Sequence, residues 1–281
     1  MTDSSGGNSR HRTLEVKSYL LPFNELPRPV FWFHDRFEAG TWSGLHSHDT
    51  WGELAFMKAG HMVVCTEQGN FLVPPQRAVW LPAGTAHEWY LPQPSVDCGL
   101  FIRPDVLRGE RFNRLHAMEV TPLLRELIHT LSRHPREYPE NGPVARMVEV
   151  LLDQLPEQPV IADPTVMPKD HRLVELAGRL INEPDAQGTI REWCRRLGLS
   201  ERTLARLFHS QTGESFGSWR RHIRLHHARA RLQAGESVTA VAFGCGYHSV
   251  SSFIALFKRS FGQTPGQFLK SLDSAPPEEH A

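Results

Sequence analysis

No apolar run in these 281 residues approaches the roughly 20 needed to span a bilayer, which excludes a helical membrane protein. The opening stretch, MTDSSGGNSRHR, lacks the apolar core of a signal peptide, and residues 1–13 are expected to form a disordered tail. Cysteine is scarce. The four present, Cys65, Cys98, Cys194 and Cys245, are scattered with no CxxC pair. Such spacing is not a disulfide framework; it suits reduced thiols and a cytoplasmic protein. Net charge is absent too, with 31 Lys and Arg against 31 Asp and Glu. Hydrophobic content of 40% and charged content of 22% are those of a soluble globular chain with room for two domains.

The zero net charge conceals a division. Residues 1–170 carry 16 Lys and Arg and 21 Asp and Glu, a balance of −5; residues 171–281 carry 15 and 10, a balance of +5. Without the polar tail at 273–281 the second part stands at +8. A basic C-terminal third implies a polyanionic partner that the acidic front part would repel.

The two parts also differ in pattern. Between residues 14 and 103, runs such as VFWFHDRF and GELAFMKAGHMVVC are broken by Gly and Pro, as in a small all-β barrel. Leu124, Leu127, Ile128 and Leu131 share one helical face, as do Val144, Met147, Val148, Leu151 and Leu152, which predicts an antiparallel helix pair. LPEQPVIADPTVMPKD, with four prolines in sixteen residues, reads as an exposed linker. From 171 onward the segments are helical. Asp170 is a good N-cap, Thr189 and Glu192 have capping-box spacing, Ser200 caps a helix that closes at Gly213, and residues 215–234 form a long helix.

Two of the helical segments are copies. At an offset of 49 residues Ser200 matches Ser249, Leu204 matches Phe253, Phe208 matches Phe257, Gly213 matches Gly262 and Trp219 matches Phe268. Each copy is a short helix, a Gly-containing turn and a second capped helix, the helix-turn-helix pattern. AVAFGCGYHSVSSFIALFKRSFGQTPGQF within residues 171–271 resembles the signature of AraC/XylS-type transcription regulators almost throughout. The resemblance implies two helix-turn-helix units joined by a long helix, with recognition helices in successive major-groove segments about 34 Å apart. It implies double-stranded DNA as partner, with Arg202, Ala205 and Arg206 facing base edges; His209 lies on the same outward face of that helix, and Val250, Ser251, Ile254 and Ala255 are the corresponding positions of the second. Lys258 and Arg259 are candidate phosphate contacts. Ala255 departs from relatives that place a long polar residue there, so the second unit either reads thymine methyls or mostly holds the backbone.

GTWSGLHSHDTWGELAFMKAG, residues 40–60, carries ligand-type residues instead. Two histidines stand two apart, and a glutamate follows five residues later. Residues two apart on a strand face one side, so His46 and His48 point together, and Glu53 and His87 join them from neighbouring strands. The spacing from Gly40 to Gly60 resembles the first cupin motif in full. WLPAGTAHEWY resembles the second in part, with Gln76 and Leu91 replacing its end residues. The resemblance implies that His46, His48, Glu53 and His87 are metal ligands for Zn, Fe, Mn, Ni or Co, or else that the same positions line an effector pocket. Trp51, Trp80 and Trp89, with Trp42, are candidate pocket walls.

The expected fold is multi-domain α+β: a cupin-like sensor β-barrel over 14–115, a helical dimerisation segment over 116–155, a linker over 156–170, an all-α AraC-type DNA-binding domain over 171–272 and a tail over 273–281. The expected function is a homodimeric, cytoplasmic transcription regulator, not an enzyme, whose barrel senses a small-molecule effector or a metal. RNA polymerase is a further candidate partner. A metal-sensing repressor and a dioxygenase-like cupin enzyme are the alternatives.

Overall fold

The computed structural model describes residues 25–97, 99–161, 165–183 and 190–273, and the chain divides into two units between Lys169 and Asp170. The tail at 1–13, Cys98, the Thr189 half of the capping box and the end of the 273–281 tail lie outside the described residues. Cys65, Cys194 and Cys245 are buried free thiols. No helix among the described residues is long and apolar enough to cross a membrane.

The described residues of the first unit form twelve strands: β1 (Val30–Trp32), β2 (Asp35–Phe37), β3 (Thr41–Trp42), β4 (Gly52–Ala59), β5 (Met62–Thr66), β6 (Gly69–Val73), β7 (Arg77–Leu81), β8 (His87–Leu91), β9 (Ser95–Asp97), β10 (Leu100–Ile102), β11 (His116–Glu119) and β12 (Val166–Met167). They make two antiparallel sheets, one in the order β1-β10-β4-β7-β11, with β9 also pairing β4 and β2 pairing β9, the other β12-β6-β5-β8-β3. Between the sheets lies a core to which Ala55, Met57, Val79 and Leu81 of the first contribute, with Met62, Val64, Val73, Trp89 and Leu91 of the second. The other face of the first sheet carries Val30, Trp32, Leu54, Phe56, Trp80, Leu100 and Ile102. Thus β4 is apolar at successive positions because both of its faces are covered.

The cover on that outer face is the helix pair, α1 (Pro122–Leu131) and α2 (Pro143–Gln154). Leu124, Ile128, Leu131, Val148 and Leu151 are buried against the sheet, each contributing about 1.5–3 kcal/mol. The loop between the helices is anchored as well: Trp32 Nε1 donates to the His134 carbonyl at 3.1 Å, and Arg28 Nε to that of Tyr138 at 2.6 Å.

Two expectations are corrected here. Residues 116–119 are not the start of a helical segment; they form β11, paired with Arg77–Trp80 of β7. Nor do the described residues of 156–170 form a free linker: 156–161 and 165–170 are both held on the first unit by hydrogen bonds. Arg111 donates to the carbonyls of Pro156 (2.7 Å) and Gln158 (2.9 Å), and the buried Gln158 side chain accepts from Thr121 N at 2.9 Å. β12 then pairs with β6, and Asn70 Nδ2 donates to the Pro168 carbonyl at 2.6 Å. Proline bars helix and inner strand, but an edge strand and carbonyl acceptors remain open to it.

The second unit comprises α3 (His171–Asn182), α4 (Ile190–Leu197), α5 (Glu201–Thr212), α6 (Phe216–Gln233), α7 (Val238–Gly244), α8 (Val250–Phe261) and α9 (Pro265–Asp273). Asp170 caps α3, its Oδ1 accepting from Arg172 N at 3.0 Å. The core of the second half gathers Leu225, Ala228 and Leu232 of α6 with Val241, Ala242, Phe253, Phe257 and Phe268.

Gly52 opens β4 directly beneath the Trp80 indole, and a Cβ there would overlap the ring. Trp80 cannot retreat: it is buried, and its Nε1 donates to the Phe112 carbonyl at 2.7 Å. Gly52→Ala is therefore expected to cost about 1–3 kcal/mol, read from urea unfolding by tryptophan fluorescence. Gly266→Ala, in open space on α9, should cost nothing. Equal stability of the two variants would refute this packing.

Candidate metal centre and nucleic-acid interface

The turn at residues 43–49 runs along the edge of β8. His46 and His87 exchange backbone hydrogen bonds of 2.9 and 2.8 Å, and Gly84 N donates to the His48 carbonyl at 2.8 Å. These bonds bring both turn histidines over the inner end of β8, where Glu53 arrives from β4. One ligand-type atom from each of His46, His48, Glu53 and His87 lies within 4.8 Å of all the others. His48 and His87 both place Nε2 against Glu53 Oε2, at 3.2 and 3.1 Å.

Backbone carbonyls fix two of the rings. Gly44 O receives a hydrogen bond from His46 Nδ1 at 2.8 Å, and Thr85 O one from His87 Nδ1 at 2.9 Å. A carbonyl only accepts, so Nδ1 carries the proton in each. Neutral His87 then turns an Nε2 lone pair toward a carboxylate oxygen. Two acceptors at that distance need a second proton or a cation between them. The electrostatics agree. Burial would raise the Glu53 carboxyl pKa, but hydrogen bonds from His48 and His87 outweigh it and hold the group far below the usual carboxylate range. Burial would lower that of His87, but Glu53 outweighs it and the net shift is upward. His46 is lowered, chiefly by burial and then by His87.

The three tryptophans expected at a pocket lie in three different apolar clusters. Trp80 belongs to the outer face of the first sheet and Trp89 to the core between sheets, edge-on to Phe37. They do not share one pocket with Trp51. Trp51 stacks on His48 at 5.6 Å, and Phe101 meets the same imidazole edge-on at 5.0 Å. Sequence reasoning missed Phe101 and Phe31. The signal was pairing rather than motif, since Phe31, Phe101 and Glu53 are direct cross-strand neighbours.

In the second unit the repeat becomes geometry. Ser200 Oγ accepts from Thr203 N at 3.1 Å, and Ser249 Oγ from Ser252 N at 3.2 Å. Gly213 and Gly262 end the two helices in the left-handed conformation, φ +75° and +74°. Leu204 and Phe208 are buried in one, Phe253 and Phe257 in the other. Arg202, Ala205, Arg206 and His209 are exposed along one side of α5, and Ser251, Lys258 and Arg259 are exposed on α8. Val250, which opens α8, is half-buried, with part of its surface packed on the core of its own unit. Glu201 and Glu214, the acids nearest in sequence to Arg206, are engaged by Arg191 at 3.2 Å and His222 at 3.0 Å. Among the described residues no carboxylate is paired with Arg202 or Arg206.

A doubled, serine-capped helix-turn-helix with unpaired arginines along one exposed recognition helix defines a DNA-binding transcription regulator. Residues 193–271 match the helix-turn-helix domain family. Over 239 residues the chain is 33% identical to the HTH-type transcriptional regulator NimR of Escherichia coli (strain K12), covering 84% of this chain and 85% of that protein. It is 31% identical over 147 residues to the HTH-type transcriptional activator RhaR of Klebsiella pneumoniae subsp. pneumoniae, covering 52% of this chain and 44% of that protein. Among solved structures, ToxT from Vibrio cholerae O395 aligns with 88% of this chain and 99% of its own at 13% identity and a TM-score of 0.37. The chain belongs to the AraC-type family of transcription regulators. The relatives matched are named as regulators, not as enzymes.

Proposed function

We propose that the first unit is a cupin-like sensor for a small molecule or a divalent metal ion, working in the cytoplasm, and that its state sets how the second unit engages DNA. The observation that carries this is the group of three imidazoles and one carboxylate, buried at His48, Glu53 and His87 and half-buried at His46, with two Nδ1 protons locked on carbonyls. Histidines that hold metals commonly donate their other ring nitrogen in this way, and the donor set suits Zn, Fe, Mn, Ni or Co. Glu53 supplies the charge that a cation between Oε2 and the imidazoles would balance. Effector binding shifts the population of DNA-competent chains by no more than its differential affinity for the two states.

Protein purified without a His tag is expected to carry about one divalent metal per chain by elemental analysis, and His87→Ala to lose it. Folded wild-type protein that takes up no metal on reloading would leave the pocket to an organic effector.

For DNA, Arg202 and Arg206 are read as the groups that reach guanine in the major groove, and Lys258 and Arg259 as phosphate contacts. Arg206→Ala is expected to cost about 1–3 kcal/mol at the cognate site and to relax one base position. Lys258→Ala should weaken cognate and scrambled DNA equally and lower the salt slope by about one. Gel-shift titrations at two salt concentrations separate the roles; equal loss on both DNAs for Arg206→Ala would sink base reading.

The homodimer reading rests on what α1 and α2 leave uncovered. Their main apolar faces are taken by the sheet, yet Leu123 and Val150 remain 53% and 44% exposed. A second copy of this chain is the proposed cover, giving two DNA-binding units and a repeated operator. Light scattering is expected to report a dimer at micromolar concentration that Leu123→Lys with Val150→Lys dissociates; a wild-type monomer, with and without DNA, would overturn it.

A further inference from the structure

The two recognition helices are one scaffold bearing two different chemistries. α5 and α8 are each 12 residues long, with the same serine cap and the same left-handed glycine end. At the constant offset of 49 residues, Arg202 corresponds to Ser251, Ala205 to Ile254, Arg206 to Ala255 and His209 to Lys258. The buried pairs correspond as well, Leu204 to Phe253 and Phe208 to Phe257, so matching positions leave matching cores in the same direction.

What those positions present is not the same. The first two turns of α5 offer two guanidinium groups. Those of α8 offer no long polar side chain. Ser251 and Ala255 are exposed, Ile254 is half-buried with part of its surface on the core, and Ser252 is bonded into the cap with Ser249. The first long polar groups on α8 are Lys258 and Arg259 in its last turn, both exposed.

A surface of methyl groups in the major groove has one base-specific partner, the C5-methyl of thymine, whereas guanine is read by bidentate arginine. Short side chains also let the helix axis approach the base edges, while a cationic end supplies phosphate attraction. We propose that α8 reads thymine through its methyl group, with Ala255 and the exposed part of Ile254 as the specificity-determining residues. The operator then consists of a guanine-bearing box under α5 and a thymine-bearing box under α8. This rests on the reading that both helices enter the major groove.

Operators selected from a random duplex pool with the full chain supply the test. The box whose base preference relaxes in Arg206→Ala is assigned to α5, and the other to α8. Thymines are then replaced, box by box, with deoxyuridine, which pairs identically and lacks only the methyl. Wild-type protein is expected to lose about fourfold in affinity per contacted methyl in the box of α8, and nothing in the box of α5. Ala255→Gly should bring the ratio of thymine to deoxyuridine affinity about fourfold closer to one. That ratio compares two DNAs on the same protein, so any change in folded fraction cancels. Equal wild-type affinity for both DNAs would overturn the proposal, and so would a deoxyuridine loss that Ala255→Gly leaves intact. If Arg206 proves a mere phosphate contact, the arginine reading fails without touching this ratio, and the boxes are then assigned by which one responds to Ala255→Gly.

Discussion

The first unit depends on β4 being buried on both faces. A strand alternates its side chains, so Leu54 and Phe56 fill the outer core under α1 and α2 while Ala55 and Met57 fill the inner one. A slip of one residue would send Leu54 inward and Glu53 into the helix-covered core, stranding a carboxylate among leucines. Apolar packing on two sides therefore fixes the register that aims Glu53 at the histidines. Gly52 tightens the constraint, because only a missing Cβ lets Trp80 lie across the strand there.

Around Glu53 the chemistry is one of compensation. A carboxylate in a buried place is costly unless hydrogen-bonded or balanced by charge. Two imidazole Nε2 atoms converge on one of its oxygens, and the carbonyls of Gly44 and Thr85 hold the far nitrogens of His46 and His87. Trp51 and Phe101 pack against the His48 imidazole. Either an imidazolium or a bound cation would balance the Glu53 charge there.

The second unit separates scaffold from message. Caps, glycine ends and buried aromatic or aliphatic pairs are duplicated at one offset, and they set where each recognition helix begins, ends and points. The exposed residues between them are free of that duty and differ between the copies. The ion pairs Arg191–Glu201 and Glu214–His222 occupy the acids flanking Arg206, so its guanidinium stays available to a polyanion.

The sequence alone determined a good deal of this. Local signals sufficed for the capped helices, since Ser200, Ser249, Asp170, Gly213 and Gly262 act within a few residues of themselves. The repeat was legible because duplication preserves apolar spacing. The four residues His46, His48, Glu53 and His87 were legible as a group from their ligand types and spacing, but not for the reason expected: His46 and His48 sit in a turn rather than on a strand, and Glu53 and His87 come from strands of different sheets. Only the tertiary structure decided what covers what. It took the apolar faces of α1 and α2 for the sheet, placed Val166–Met167 of the proline-rich segment as an edge strand, and turned 116–119 into β11. It also dispersed Trp51, Trp80 and Trp89 into three clusters and packed Val250 onto its own core. Each of these is a pairing between residues far apart in the chain. Such a pairing is selected by the free energy of burying both partners together, a quantity that no single stretch of sequence contains.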